Sequence, residues 1–340
     1  MAASAETLSG RTSIAFAATT TTAIAGLVWF FYRMQCSAWS DKSSSNSTKM
    51  KKTNNLVVNY HFHRRCNYSC KFCFHTSTNG TLADLSDAQR AMKLLRDEGM
   101  IRVNFSGGEP FLQAKWLGAM CQYSHELGVT VSIVSNGSKI TDKWMKQFGQ
   151  YVDVLAISCD SFDPETLRKI GRYEPKKDHL AQLDRVRDWC EQYNIIFKIN
   201  SVICRANHHE NMVGEILRLK PARWKVFQCL LIDGENAGDP DSLRDARDQV
   251  ITKEEFDAFV ERHREMTALV PEDNDTMRNS YLILDESLKF LNNQHGDKRP
   301  SSVTVLENVV QALRESGFDV STFKDRGGEW CNPKGQELEW

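Results

Sequence analysis

Cys66-Asn67-Tyr68-Ser69-Cys70-Lys71-Phe72-Cys73 carries three thiols at C-x3-C-x2-C spacing, close enough along the chain to converge on one metal centre. Such a set holds zinc if a histidine completes a tetrahedron, and His63 or His75 could do so. It equally holds three irons of a [4Fe–4S] cluster, leaving the fourth iron to a non-protein ligand. The spacing leaves both readings open.

Composition narrows what can surround this loop. With 43 basic and 44 acidic residues the formal net charge is −1, so no overall field draws the chain to nucleic acid or anionic lipid. An anionic ligand must therefore be met by a local cluster of cations, and nucleic-acid binding is not expected. A hydrophobic content of 41% over 340 residues supports one large core or two small ones. The ten cysteines lie in a long chain of alternating strand and helix patterns, which is not a disulfide framework. Beyond the triad, Cys121, Cys159, Cys190, Cys204, Cys229 and Cys331 read as reduced packing thiols in a reducing compartment. Only Cys331 follows Cys229, so no second cysteine motif is present to hold an auxiliary cluster.

Upstream of the triad, Ile14 to Tyr32 runs without a charge between Arg11 and Arg33. At about 1.5 Å rise per residue it can just span a hydrocarbon core of roughly 30 Å, and Trp29, Phe30, Phe31 and Tyr32 suit the interface. We read a membrane anchor; a cleaved signal peptide is the other reading, but no small-residue cleavage site follows. Arg33, Lys42, Lys49, Lys51 and Lys52 outnumber the basic residues upstream, which keeps the remainder in the cytosol. Cys36 is a palmitoylation candidate or a bare thiol, and Ser37 to Asn55 is a solvated linker.

From Leu56 onward, short apolar runs alternate with amphipathic stretches. Strands are expected at Leu56 to Phe62, Arg102 to Ser106, Val129 to Ser135, Val152 to Ser158, Ile195 to Val202 and Trp224 to Leu231. Helices are expected near Asp84 to Glu98, Lys115 to Leu127, Asp142 to Phe148, Leu180 to Tyr193 and Glu210 to Leu219. Six βα units predict an α/β fold with a parallel sheet, whose ligands gather at the carboxyl ends of the strands. Asp233 to Asp248 reads as an acidic loop, and Thr252 to Thr267 as a helix capped by Thr252. After Asp285 the pattern is irregular. The organisation expected is an anchor and linker over 1–55, a barrel over 56–290 and a substrate-capping extension over 291–340.

The second decisive stretch is Phe105-Ser106-Gly107-Gly108-Glu109-Pro110, at the end of the second expected strand. C-x3-C-x-aromatic-C followed by G-G-E-P resembles the radical S-adenosylmethionine (SAM) superfamily. The resemblance favours the cluster over zinc and implies a partial (βα)6 TIM-like barrel. It implies that Cys66, Cys70 and Cys73 ligate a [4Fe–4S] cluster and that SAM binds the open iron and yields a 5′-deoxyadenosyl radical, the protein supplying position and shielding. Phe72, Gly107, Gly108, Glu109, Ser135, Asn136, Ser158, Asp160 and Arg172 are then candidates for holding SAM. The glycine pair lets a strand end approach the methionine moiety, and Glu109 can pair with its amino group.

Longer runs narrow the family. Asn59-Tyr60-His61-Phe62, Phe105 to Leu112, Ser132 to Ser138, Leu155 to Phe162, Phe197 to Ile203, Arg223 to Ile232 and Ser280 to Glu286 are similar to the viperin family. The resemblance covers residues 56–340 and implies conversion of CTP to 3′-deoxy-3′,4′-didehydro-CTP (ddhCTP) in antiviral defence. The path implied is abstraction of the ribose 4′ hydrogen, loss of the 3′ hydroxyl as water, and uptake of an electron and a proton from an unidentified electron donor. Lys198, Asn200, Lys225, Lys298 and Arg326 match triphosphate-contacting positions, Asn59 joins the substrate set, and Tyr281 would assist the last stage. Leu338-Glu339-Trp340 resembles the tripeptide that engages the cytosolic iron–sulfur assembly targeting complex. The family also implies the cytosolic face of the endoplasmic reticulum membrane, with lipid droplets as a second location. Two departures stand out: Tyr173-Glu174-Pro175 follows Arg172 where vertebrate members have a small glycine-containing loop, and the amino-terminal segment looks like a span rather than an amphipathic helix. Other readings are the same chemistry on UTP or another nucleotide, and an anchored interaction protein with a structural cluster.

Overall fold

The computed structural model describes residues 55–292, 294–295, 297–326 and 328. The anchor at 14–32, Cys36, the linker, Cys331 and the terminal Leu338-Glu339-Trp340 lie outside the described residues. Among those described, no helix is long and apolar enough to cross a membrane.

Among the described residues, ten strands form one sheet in the order β10-β9-β8-β1-β2-β3-β4-β5-β6-β7. The six expected strands are its centre: β1 (Leu56–His61), β2 (Met100–Ser106), β3 (Thr130–Ser135), β4 (Val154–Ser158), β5 (Ile196–Ile203) and β6 (Arg223–Gln228), all parallel. Between them run α1 (Leu85–Asp97), α2 (Ala114–Glu126), α3 (Asp142–Phe148), α4 (Pro164–Ile170), α5 (His179–Gln192) and α6 (Val213–Leu219). After β6 come α7 (Lys253–Arg262), β7 (Leu269–Glu272), α8 (Asn274–Met277), β8 (Leu282–Leu284), β9 (Phe290–Asn292), β10 (Arg299–Pro300), α9 (Val305–Glu315) and α10 (Val320–Asp325).

Side chains alternate along each strand, and the alternation sorts the sheet into two faces. Val58, Tyr60, Val103, Phe105, Val131, Ile133, Leu155, Ile157, Ile199 and Trp224 are buried against the helices in a single core. The intervening positions are polar on several strands: Asn59, Arg102, Asn104, Ser132, Ser158, Lys198, Asn200, Arg223 and Lys225. A flat sheet would spread these residues over one open surface. Instead Tyr281, just before β8 on one side of β1, hydrogen-bonds Lys225 of β6 at the far side of the sheet. The sheet is therefore curled, and the polar face lines a lumen.

Thr252 caps α7 as expected. Its hydroxyl accepts from the Glu255 amide, and the Glu255 carboxylate accepts from the Thr252 amide. The stretch after Asp285 is ordered structure rather than irregular chain. β9 and β10 pair antiparallel, and α9 buries Val305 and Ala312 against the core beside α1. Strands of two or three residues are too short to show a period-2 pattern, which is why the sequence does not reveal them.

Candidate active site

Backbone pairing from several directions seats the cysteine loop. Beyond β2, the Gly108 amide donates to the His63 carbonyl at 2.8 Å and the Glu109 amide to the Arg65 carbonyl at 2.8 Å. A Cβ on Gly108 would stand 1.9 Å from the Arg65 carbonyl oxygen, and Gly107 adopts φ +121°. The glycine pair thus lets the strand end meet the chain entering Cys66. On the other side, Ser69 donates to the Gly171 carbonyl at 3.1 Å and Lys71 to that of Ile170 at 2.9 Å, where α4 ends in a left-handed glycine. Asn236 holds the Phe72 carbonyl through its side-chain amide at 3.0 Å.

Cys66 is exposed, Cys73 half-buried and Cys70 buried. Burial pushes the Cys70 thiol up to about 12, with Arg172 pulling it back. Iron must displace that proton, since the thiolate is the ligand. Among the described residues no group of three or more His, Cys, Asp or Glu gathers at the spacing of a single ion. Three thiols that each bind a different iron do not need that spacing, so the donor set fits a cluster.

The SAM candidates crowd the same strand ends. Glu109 is fully buried; its carboxylate accepts from the Ser135 hydroxyl at 2.7 Å, the Asn136 amide at 2.8 Å and the Phe111 amide at 3.1 Å. Burial raises its carboxyl to about 6, against these hydrogen bonds. The Asn136 side chain donates toward Cys66 Sγ at 3.9 Å and to Asn67 at 3.1 Å. Ser158 ends β4 in register with Asn200. Arg172 donates to Asp160, whose other oxygen accepts from the Val202 amide at 2.9 Å, and its guanidinium lies 5.9 Å from the Phe72 ring centroid. The Tyr173-Glu174-Pro175 departure has its own anchor, because the Glu174 carboxylate accepts from Asn67 at 2.7 Å and from Lys139 at 2.8 Å.

Deeper in the lumen lies a second group. Lys198 and Asn200 on β5 stand in register with Arg223 and Lys225 on β6. Lys225 forms an ion pair with fully buried Glu272 and donates to the Tyr281 hydroxyl at 2.9 Å. That hydroxyl donates to the other Glu272 oxygen. Arg326 pairs with Glu272 at 3.2 Å and stacks its guanidinium 3.9 Å from the Tyr281 ring centroid. Burial lowers Lys225 to about 8 against the pull of Glu272, and burial with the neighbouring cations lowers Lys198 well below its ordinary value. Burial and Glu272 hold the Tyr281 phenol well above its usual range, so it stays protonated. Asn59 accepts from Asn104 at 2.9 Å on the same face.

Lys298 does not join this group. It donates to the Phe74 carbonyl at 2.6 Å and pairs with Glu235 at 2.5 Å. Glu235 also takes Arg64 at 2.8 Å, and Arg64 reaches Glu286 at 2.5 Å. Glu272, Glu235, Glu286 and Arg64 escaped the sequence reading. The one available signal was position: Glu272 ends a strand at the rim where the sheet's ligands collect.

A curled parallel sheet whose strand ends carry three thiols, a glycine pair and a buried carboxylate defines the class of SAM-cleaving iron–sulfur barrels. The sequence signature of the Radical SAM superfamily matches residues 60–246. The SAM-bound crystal structure of Streptococcus suis SuiB has the same fold: TM-score 0.58 at 14% identity, covering 82% of this chain and 69% of that one. The S-adenosylmethionine-dependent nucleotide dehydratase RSAD2 of Oncorhynchus mykiss is 46% identical over 92% of this chain and 95% of its own length. The protein of that name from Siniperca chuatsi is 50% identical over 83% of this chain and 81% of its own. The chain belongs to this S-adenosylmethionine-dependent nucleotide dehydratase family, the viperin family, within the radical SAM superfamily. It is an enzyme whose cofactors are SAM and a [4Fe–4S] cluster.

Proposed function

We propose that the lumen takes CTP and that the enzyme removes water from its ribose to give ddhCTP. The names of the relatives support a nucleotide substrate. The observation that carries the triphosphate is the group of Lys198, Lys225 and Arg326 facing a lumen in a protein of net charge −1. A triphosphate brings three to four negative charges, which such a site can answer locally. When bound, the cluster supplies one-electron cleavage of SAM and hence the radical that abstracts the ribose 4′ hydrogen. The chain's own part is positional. Asn59 meets the nucleoside, Lys198, Asn200, Lys225 and Arg326 hold the phosphates, and Lys298, paired with Glu235 away from this group, takes no part in holding them. Tyr281, protonated and hydrogen-bonded to Lys225, carries the proton with which the 3′ hydroxyl leaves as water.

We read the amino-terminal segment as holding the enzyme to the cytosolic face of the endoplasmic reticulum membrane and lipid droplets. Leu338, Glu339 and Trp340 form the handle by which the iron–sulfur assembly targeting complex loads the cluster, and a cellular reductant supplies the electron. The three-part division at residues 55 and 290 belongs to the same reading.

The test is anaerobic reconstitution with iron and sulfide, followed by SAM, dithionite and each of CTP, UTP, GTP and ATP. Mass spectrometry of the CTP reaction is expected to show 5′-deoxyadenosine and a nucleotide lighter by one water, both abolished by Cys70→Ala. A dehydrated product from UTP alone would move the substrate to UTP, and SAM cleavage unresponsive to every nucleotide would sink the triphosphate reading.

A further inference from the structure

The thiol loop has an entering and a leaving leg, and one carboxylate holds both. Glu235, in the loop after β6, is buried, and its Oε2 accepts from the Thr76 amide at 2.7 Å and from the Thr76 hydroxyl at 2.7 Å. Thr76 follows Cys73 on the leg by which the chain leaves the triad. Glu235 Oε1 accepts from Arg64 at 2.8 Å and pairs with Lys298 at 2.5 Å. Arg64 precedes Cys66 on the entering leg and reaches across to the Thr76 carbonyl at 3.2 Å. The Ser77 hydroxyl ties the legs a second time, donating to the Arg64 carbonyl at 2.7 Å.

The leaving leg is gripped at alternate residues. Asn236, next in the chain to Glu235, donates to the Phe72 carbonyl at 3.0 Å and to the Leu230 carbonyl at 3.0 Å, and its Oδ1 accepts from the Ile232 amide at 2.7 Å. Its side chain is thus fixed to the end of β6 before it meets the thiol loop. Lys298 donates to the Phe74 carbonyl at 2.6 Å. Phe72, Phe74 and Thr76 are therefore each held by a side chain remote in sequence. Arg64 and Lys298 answer Glu235 and Glu286, so these four charges call for no further ion. The value of the arrangement is directional: a carboxylate offers about four acceptor sites, and here they orient donors from three separate chain segments.

We propose that Glu235 is a positioning residue for the cluster, fixing the leg that leaves Cys73 against Arg64 on the entering leg and against Lys298 of the segment that follows β9. Cys73 is the cluster ligand next to this clamp along the chain, and the bonds to Phe72, Phe74 and Thr76 set where its thiolate stands. A shift of that thiolate carries the cofactor with it, and misplacement by about 1 Å at a reacting centre can cost about 100-fold in rate. Through Lys298 the clamp also joins the last part of the chain to the cofactor loop. The inference does not depend on which nucleotide occupies the lumen.

The experiment uses the full cluster-loaded chain without nucleotide, as wild type, Glu235→Gln, Glu235→Asp and Lys298→Met. Hydrogen exchange reads the amides of Cys73, Thr76 and Thr78, which are bonded to Cys70, Glu235 and Thr76. Glu235→Gln is expected to speed their exchange roughly 10- to 100-fold, the range of a charge-assisted hydrogen bond, and to leave β3 and β4 unchanged. In the dithionite-reduced protein it is expected to shift the g values of the cluster's paramagnetic resonance spectrum, with SAM and without. Glu235→Asp, which keeps the charge, should recover part of both effects. Lys298→Met leaves the Thr76 bonds in place and should speed exchange at the same amides about tenfold, so it carries the test if Glu235→Gln does not load iron. Wild-type exchange and g values in Glu235→Gln overturn the assignment, as does wild-type exchange in Lys298→Met. Faster exchange in β3 and β4 as well, with unchanged g values, marks a role in folding alone and overturns it too.

Discussion

Replacing Glu272 by Gln keeps the shape of the side chain and removes the one negative charge that Lys225 and Arg326 share. It also deprives the Tyr281 hydroxyl of its carboxylate acceptor. Breaking a buried pair by deleting one partner costs about 3–5 kcal/mol, because the remaining charge is left without compensation. In this site the penalty has a ceiling. Lys225 is already lowered to about 8, so without Glu272 it can shed its proton, which caps its share of the penalty at about 1.4 kcal/mol per unit that the solution pH lies below that value, and Arg326 bears the rest. At pH 9 the lysine of the wild type is largely neutral, so the substitution should cost least there and most near pH 7. For a domain of this size about 3 kcal/mol corresponds to a melting shift of roughly 6–12 °C. Tripolyphosphate or CTP supplies the missing negative charge, so either ligand should raise the melting temperature of the variant more than that of the wild type. Thermal melts at pH 7 and pH 9, with and without CTP, measure all of this. A variant that melts with the wild type at pH 7 and gains no extra protection from CTP refutes the shared-charge account of Lys225, Arg326 and Glu272.

Further predictions follow from the same geometry. Gly108→Ala places a methyl group 1.9 Å from the Arg65 carbonyl oxygen, so the chain entering Cys66 must move; iron and sulfide per chain after reconstitution should fall severalfold, and full occupancy would contradict the close approach. His61 is buried and held neutral down to about 3 mainly by burial, whereas an exposed histidine protonates near 6.5. Its folded pKa is depressed, so the unfolded chain takes up the proton first, and stability should fall by about 1.4 kcal/mol per pH unit below 6.5. Urea titrations at pH 7 and pH 5 should therefore differ by about 2 kcal/mol from this residue, and His61→Gln should remove that share. Deleting Trp340 should lower iron content in protein purified from cells while leaving cluster reconstitution in vitro unchanged; equal iron in cells would remove the tail from the loading step.

The short-range features were legible because they are local. The triad at C-x3-C-x2-C, the glycine pair at a strand end and six apolar runs of strand length each lie within a few consecutive residues, where spacing and periodicity carry the information. The six runs predict a parallel sheet, whereas the thiol spacing alone leaves zinc and a cluster open, and it is the resemblance to the radical SAM superfamily that chooses between them. The short strands β7 to β10 and the helices α4, α9 and α10 were not foreseen, since their patterns are brief and their stability comes from the sheet and helices they join. The glycines also fit the strand end against His63 and Arg65, a contact between segments separated in the chain that local spacing does not reveal. The pairings that matter for chemistry were further out of reach. Glu272 meets Lys225, Tyr281 and Arg326 only because curling of the sheet brings β6 and β7 round to the start of β8. Lys298 turns to Glu235 rather than to the other cations for the same reason. Residue type and spacing determine which groups can bind iron or phosphate. Which buried charge faces which, and hence which protons are held, depends on long-range closure of the barrel and the water it excludes, and that is decided only by the tertiary structure.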